Sequence, residues 1–127
     1  MTAPKYDGIM TPWVGVSDLD KAIRWYEENL GFEVEFRADE IGWCELKTAT
    51  PNVYVGLYVM TPPPGSGGAT LTFNVEDLDL ERRRLEENGV RFEGPTVRVD
   101  GLIARASFTD PDGNPLMFCQ VLHPPRN

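Results

Sequence analysis

Few side chains in this sequence could do covalent or acid–base chemistry, and none is spaced as a nucleophile–base pair. The one histidine, His123, stands near the C-terminus and reads as a solvated tail residue. Ser107 therefore has no histidine to activate it, and Cys119 has no evident base. Cys44 and Cys119 both sit in apolar, strand-like runs and read as buried, reduced thiols. They could bond only if their strands were adjacent. Glu45 is the one strand carboxylate that could act as a general base, provided it turned inward and were desolvated. Trp43 and Lys47 alternate with it, so a solvent face fits the same pattern. Arg105, in the run Ile103 to Thr109, carries a guanidinium that could stabilise developing charge. The Gly65 to Gly68 run is not a phosphate loop, because it does not join a strand to a helix that opens with Lys.

Bulk properties bound the answer further. A chain of 127 residues is one domain by length, with room for a real core. The net charge of −8 argues against nucleic acid, whose phosphates need clustered Lys and Arg. It is compatible with a cationic ligand, but it reads first as simple solubility. No apolar run approaches the roughly 20 residues of a membrane helix. Residues 1–8 lack the basic-then-apolar pattern of a signal peptide, so a cytoplasmic location is expected.

The elements that must position these side chains come from an internal repeat. Val16-Ser17-Asp18-Leu19-Asp20 runs on to Glu27-Glu28-Asn29. Val75-Glu76-Asp77-Leu78-Asp79 and Glu86-Glu87-Asn88 follow 59 positions later without a slip. Two copies of one supersecondary unit follow from that register. In unit one, Ile9 to Val16 is a strand by composition. Ser17 with Asp20 fits a capping box, and Leu19, Ala22, Ile23, Tyr26 and Leu30 mark one helical face up to the stop at Gly31. Trp25, beside Tyr26, reads as packing. Phe32 to Phe36, Trp43 to Lys47 and Val53 to Val59 are strands between turns.

Thr61 to Gly68 can continue neither helix nor sheet and reads as the linker. In unit two, Thr70 to Val75 repeats the first strand and Asp77 to Asn88 the helix, with Asp79 and Arg83 at an ion-pairing i,i+4 spacing. Val90 to Glu93, Thr96 to Val99, Ile103 to Thr109 and Pro115 to Leu122 follow as strands. Asp110 and Asp112 read as turn-formers in Asp110-Pro111-Asp112-Gly113-Asn114. The expected fold is α+β: two tandem βαβββ units, 9–60 and 69–122, each curling a small sheet around one helix to form a cleft.

This order of motifs resembles the vicinal oxygen chelate superfamily, which includes glyoxalase I, extradiol dioxygenases and bleomycin-resistance proteins. The residues that carry the resemblance are Val16 to Tyr26, Leu30-Gly31-Phe32, and Phe108-Thr109 with the Asp110 to Asn114 turn. With the repeat, it covers nearly the whole chain. The fold itself supports many reactions.

In metal-dependent members of the resembled family, His, Glu or Gln ligands come from the first and last strands of each unit. Those positions fall on Thr11, Gly56, Thr70 and Met117 here. Two hydroxyls, a thioether and a missing side chain match a divalent metal poorly. Shifting by one residue finds Pro12, Val55, Leu57, Ala69, Leu71, Leu116 and Phe118, none of them a ligand. The resemblance therefore implies no metal and no cofactor, and a member closest to the bleomycin-resistance-like binding proteins.

The same resemblance and the strand period of two set the expected cleft lining. Thr11 brings Trp13 and Gly15; Gly56 brings Tyr54 and Tyr58. Thr70 brings Thr72 and Asn74; Met117 brings Pro115 and Cys119. The family's inward pattern falls on Arg105 and Ser107. Such a wall suits a small molecule, with Gly56 leaving room for a ligand ring or chain. Trp13, Tyr54 and Tyr58 fit equally as core or interface residues. Trp43 is a further wall or lid candidate whose facing the count does not fix. An inward Arg105 is costly unless paired, so it either binds an anionic or carbonyl group of a ligand or bridges to a carboxylate such as Glu45.

The leading expectation is a metal-free protein that binds a small, partly aromatic molecule, sequestering an antibiotic or toxin. The alternative is a metal-independent isomerase, cyclase or lyase acting on a small carbonyl compound, with Arg105 and Glu45 as catalytic candidates. A metal enzyme with an unfamiliar ligand set is a third. Short chains of the resembled family pair their units, which implies a homodimer; no membrane or nucleic-acid partner is expected.

Overall fold

The computed structural model describes residues 5–60 and 69–122. The chain divides into two units, Met1–Pro64 and Gly65–Asn127. The divide falls inside the Pro-Gly stretch 61–68, which, like His123, lies outside the described residues.

Unit one runs β1 (Trp13–Val16), α1 (Leu19–Leu30), β2 (Glu33–Ala38), β3 (Trp43–Lys47) and β4 (Tyr54–Val59). The sheet order is β1-β4-β3-β2, with β1 parallel to β4 and the other pairs antiparallel. The first strand is shorter than its composition suggests. Met10 makes an isolated bridge to Val53, and the regular ladder resumes only at Trp13. Pro12 between them has no N–H to donate, though its carbonyl accepts from Gly56 at 2.8 Å. The helix begins one residue later than a Ser17 cap would have it. Asp18 is still extended, and its carboxylate accepts from the Lys21 N–H at 3.0 Å. An acidic cap there also meets the positive end of the helix dipole. Gly31 ends the helix at φ 71°, a left-handed turn that a Cβ would strain, donating to the Glu27 carbonyl at 3.1 Å.

Leu19, Ala22, Ile23 and Tyr26 of α1 are buried, and the helix packs on β3 and β4. Val16, Cys44, Leu46, Val55 and Leu57 complete this core. Trp25 sets its ring edge-on to Tyr26 at 5.0 Å, the packing role expected of it.

Unit two repeats the plan with β5 (Leu71–Asn74), α2 (Leu78–Glu87), β6 (Val97–Val99), β7 (Ile103–Thr109) and β8 (Pro115–Val121), in sheet order β5-β8-β7-β6. Asp77 caps α2 as Asp18 caps α1, so both helices start at the repeat's common Leu. The segment Val90 to Glu93 is not a full strand. Only Phe92 bridges, to Phe108, and Gly94-Pro95 breaks the ladder before β6. Asp79 turns to Arg98 on β6, at 2.7 Å, rather than to Arg83. Arg82 donates to Thr96 and to the Gly94 carbonyl and lies 4.7 Å from the centre of the Phe92 ring. That joins α2 to the segment before β6. Leu78, Leu85, Val90, Phe92, Ala104, Ala106, Phe108, Leu116 and Phe118 form the core of this unit. Among the described residues no helix is long and apolar enough to cross a membrane.

Candidate ligand-binding faces

Each sheet buries one face under its own helix, so alternate residues on every strand point to the other, open face. In unit one the register fixes which they are. Trp13, Gly56, Glu45 and Phe36 form one cross-strand row; Gly15, Tyr58 and Trp43 form the next; Tyr54 pairs with Lys47 in a third. Thr11 lies half-buried between the Met10 bridge and β1. The open face of unit one is aromatic. Trp13 and Phe36 are each 54% exposed and Tyr58 40%. Trp13 and Tyr58 meet edge to face, with ring centroids 5.9 Å apart. Phe36 escaped the sequence count because alternation from the buried Phe32 puts it on the helix face; the register shift between Val34 and Phe36 turns it instead to the open face, opposite Glu45.

The structure also fixes the facing of Trp43 and Glu45, which strand counting left open. Both are half-buried on the open face. The indole Nε1 of Trp43 donates to Glu45 Oε2 at 3.0 Å. The six-membered edge of the same indole lies on Gly56. A Cβ built on that glycine would stand 2.2 Å from Trp43 Cη2 and 2.8 Å from both Trp43 Cζ2 and Trp13 Cβ. The expectation that Gly56 leaves a vacant space for a ligand is therefore corrected: Trp43 fills it.

In unit two the period of two also holds. Asn74, Cys119, Arg105 and Val97 form one row of the open face, and Thr72, Met117 and Ser107 the next. Pro115 pairs with Thr109, and Thr70 is exposed just ahead of β5. Arg105, Ser107, Met117 and Cys119 are half-buried, whereas Thr72 and Asn74 are exposed. The Arg105 side chain has no hydrogen-bond or ion-pair partner among the described residues of its unit. The Glu45 carboxylate is held by Trp43 in unit one.

Two polar features belong to structure rather than chemistry. Asp110 and Asn114 are both buried and hydrogen-bond each other through side chains at 2.8 Å. Asp110 Oδ1 also accepts from the N–H groups of Asp112 and Asn114, which makes it the turn-former expected. The Cys44 thiol is fully buried on the helix face, and burial is the main cause that pushes its pKa up to about 11, with Asp39, Glu27 and Glu45 adding to the rise. A thiol so held is not a nucleophile at neutral pH. Cys44 and Cys119 are both free and lie in separate sheets.

The four positions at which the resembled family carries metal ligands do not suit a metal. Gly56 has no donor atom and its space is taken by an indole. Two hydroxyls and a thioether remain, from Thr11, Thr70 and Met117. Among the described residues no group of three His, Cys, Asp or Glu side chains could hold an ion. A separate open depression of about 310 Å³ in unit one, lined by Gly31, Glu33, Lys47, Thr48 and Ala49, contains no aromatic side chain.

The family model of the Glyoxalase/Bleomycin resistance protein/Dioxygenase superfamily matches residues 7–118. The chain belongs to that superfamily. Its fold is shared with solved glyoxalase/bleomycin-resistance proteins. TnmS3 from Streptomyces sp. CB03234, described as an antibiotic binding protein, is 28% identical with a TM-score of 0.75, over 95% of this chain and 99% of its own. A glyoxalase/bleomycin resistance protein from the same strain is 29% identical with a TM-score of 0.69, over 87% and 97%. A superfamily member from Sphaerobacter thermophilus DSM 20745 is 25% identical with a TM-score of 0.77, over 88% and 95%. Among curated proteins none matches significantly.

Proposed function

We propose that this glyoxalase/bleomycin-resistance protein is a metal-free binder that sequesters a small, partly aromatic molecule of the antibiotic or toxin kind. It works in the cytoplasm as a homodimer. The observation that carries this reading is the Trp43 indole over Gly56, an aromatic ring where metal-dependent relatives place a ligand. The ligand's rings pack on Trp13, Trp43 and Tyr58, with Thr11 and Tyr54 at their margin. In unit two the open face offers Arg105, flanked by Asn74 and Cys119, to an anionic or carbonyl group, and Thr70, Thr72, Ser107 and Met117 complete that surface. The antibiotic-binding description of TnmS3 supports the ligand class. Free cysteines fit a reducing compartment. The pairing of chains rests on the resemblance.

The test is a tryptophan-fluorescence titration with a panel of planar aromatic antibiotics, beside elemental analysis of protein incubated with Zn, Ni, Mn and Fe(II) and then desalted. Saturable quenching with metal far below one per chain is expected. Near-stoichiometric metal retention, lost on changing an open-face residue, overturns the metal-free reading; no binding across the panel overturns the sequestering one.

A further inference from the structure

Gly56 adopts no positive φ, so its backbone does not call for glycine. What calls for it is space. The strand pairing sets Trp43 opposite Tyr58 and Glu45 opposite Gly56. Had the Trp43 ring stood straight out from the sheet, Gly56 would be bare. Instead the ring reaches across the sheet so that its Cη2–Cζ2 edge takes the space over Gly56, which the Trp13 Cβ also borders. Two constraints hold it there. The missing Cβ of Gly56 admits its six-membered edge, and Glu45 accepts from its Nε1 at 3.0 Å. Nε1, Cζ2 and Cη2 share one long edge of the indole, so a tryptophan held along that edge keeps its ring and π faces in one orientation instead of sweeping through rotamers.

We infer that Trp43 is the specificity-determining floor of the ligand surface, selecting flat aromatic ligands over globular ones, and that Glu45 is the positioning residue that holds it down. The inference rests on the binding role proposed above and deepens it. It also gives Glu45 a task other than proton transfer. The carboxylate accepts from Trp43, the neighbour two residues back on its own strand, and acts on a ligand through that ring. Flat ligands gain offset stacking on a pinned indole; a saturated cage of equal charge gains only area.

Two readouts test this. The first needs no ligand: the indole ¹⁵N–¹H resonance of Trp43, assigned with Trp43→Phe. Glu45→Gln keeps an acceptor oxygen and should leave that resonance near its wild-type position. Glu45→Ala should move it upfield and make the ring accessible to acrylamide quenching, and Gly56→Ala should lift the ring with the same result. The second readout compares 9-aminoacridine, a flat cation, with 1-aminoadamantane, a globular one. Stacking of the known strength corresponds to a preference of up to about tenfold for the flat cation. Wild type and Glu45→Gln should show it and Glu45→Ala should lose it. An unchanged indole resonance in Glu45→Ala overturns the positioning role and leaves the binding role standing. A wild type that binds the two cations equally overturns the floor. Failure of the wild type to bind 9-aminoacridine or any member of the antibiotic panel overturns the binding role itself.

Discussion

Gln120 on β8 accepts a hydrogen bond from the backbone N–H of Leu78 at 3.0 Å, across 42 positions of sequence. Leu78 is the first residue of α2, and its N–H has no partner within the helix. The cap residue Asp77 serves the Leu80 N–H instead. The helix start is therefore shared between a local carboxylate and a side chain from the sheet. Gln120→Leu should lower the urea midpoint by the equivalent of about 1 kcal/mol with an unchanged m-value. Gln120→Glu keeps an acceptor at the positive helix end and should lose less. Equal losses in the two variants would show that the hydrogen bond is not what Gln120 contributes.

Asp110 is a stronger case, because its carboxylate is buried and serves three donors at 2.8–2.9 Å. Removing it takes away the acceptor of two backbone N–H groups and of the Asn114 side-chain amide in the turn between β7 and β8. Asp110→Ala should cost about 3 kcal/mol in denaturant unfolding. Asp112, whose side chain is not in that network, should tolerate Ala within about 1 kcal/mol. Parity between the two would remove the distinction drawn from their hydrogen bonds.

These two sites mark what can be read from the sequence. The Asp110 turn was legible because its chemistry is local: an aspartate bonding its own backbone two and four residues on. The repeat and the strand period were legible for the same reason, and they place Arg105, Ser107, Thr72, Asn74 and Trp13 on the open faces without any tertiary knowledge. Gln120 was not legible, since a glutamine in an otherwise apolar strand gives no sign of the helix end it meets. Nor was the lie of Trp43. Alternation fixes which face a side chain leaves from, whereas side-chain torsions and a gap on the next strand fix where its ring ends. Gly56 looked like vacant space because the residue that fills it comes from a different strand.

Cys44 gives a pH prediction with a definite sign. Its folded pKa of about 11 lies above the ordinary thiol value of 9.0. Between those values the unfolded chain has released the thiol proton and the folded chain has kept it. Stability is therefore undiminished by this group below pH 9 and falls as pH rises from about 9 toward 11. Cys44→Ala removes that slope, although it is less stable at neutral pH for loss of packing. A thiol reagent at pH 8 should label Cys119 in the folded protein and Cys44 only after unfolding. Prompt labelling of Cys44 in the native state would contradict its burial.

Asp20 has the opposite sign and a smaller effect. The hydrogen bond from Arg37, at 2.7 Å, and the charge of Arg37 hold its carboxyl below the usual value, and Arg37 also donates to Asp39. A depressed folded pKa stabilises above the unfolded value of 3.8 and is lost as pH falls below it. The ions are solvent-exposed, so salt should erase most of the benefit. Asp20→Asn should change the melting temperature little at high salt and neutral pH, with any difference appearing at low salt; a large salt-insensitive loss would point to a structural role instead.

Arg105 and Trp13 separate binding from packing. Arg105 is half-buried, and its guanidinium has no hydrogen-bond or ion-pair partner among the described residues of its unit. Replacing it strands no hydrogen bond, so Arg105→Leu should leave stability unchanged or raise it. It should weaken binding of a flat anion such as anthraquinone-2-sulfonate far more than of 9-aminoacridine. Trp13 is 54% exposed and touches Tyr58 only edge-on. Trp13→Ala should cost no more than about 1.5 kcal/mol of stability, the scale of one aromatic pair. A core ring behaves otherwise: Phe108, fully buried between Phe92 and Phe118, should cost about 3–5 kcal/mol on truncation to Ala. If Trp13 serves a ligand, its loss should weaken binding of a flat cation such as 9-aminoacridine while the fold persists. Unfolding on the scale of Phe108→Ala would place Trp13 in a packed interface and take it out of the ligand surface.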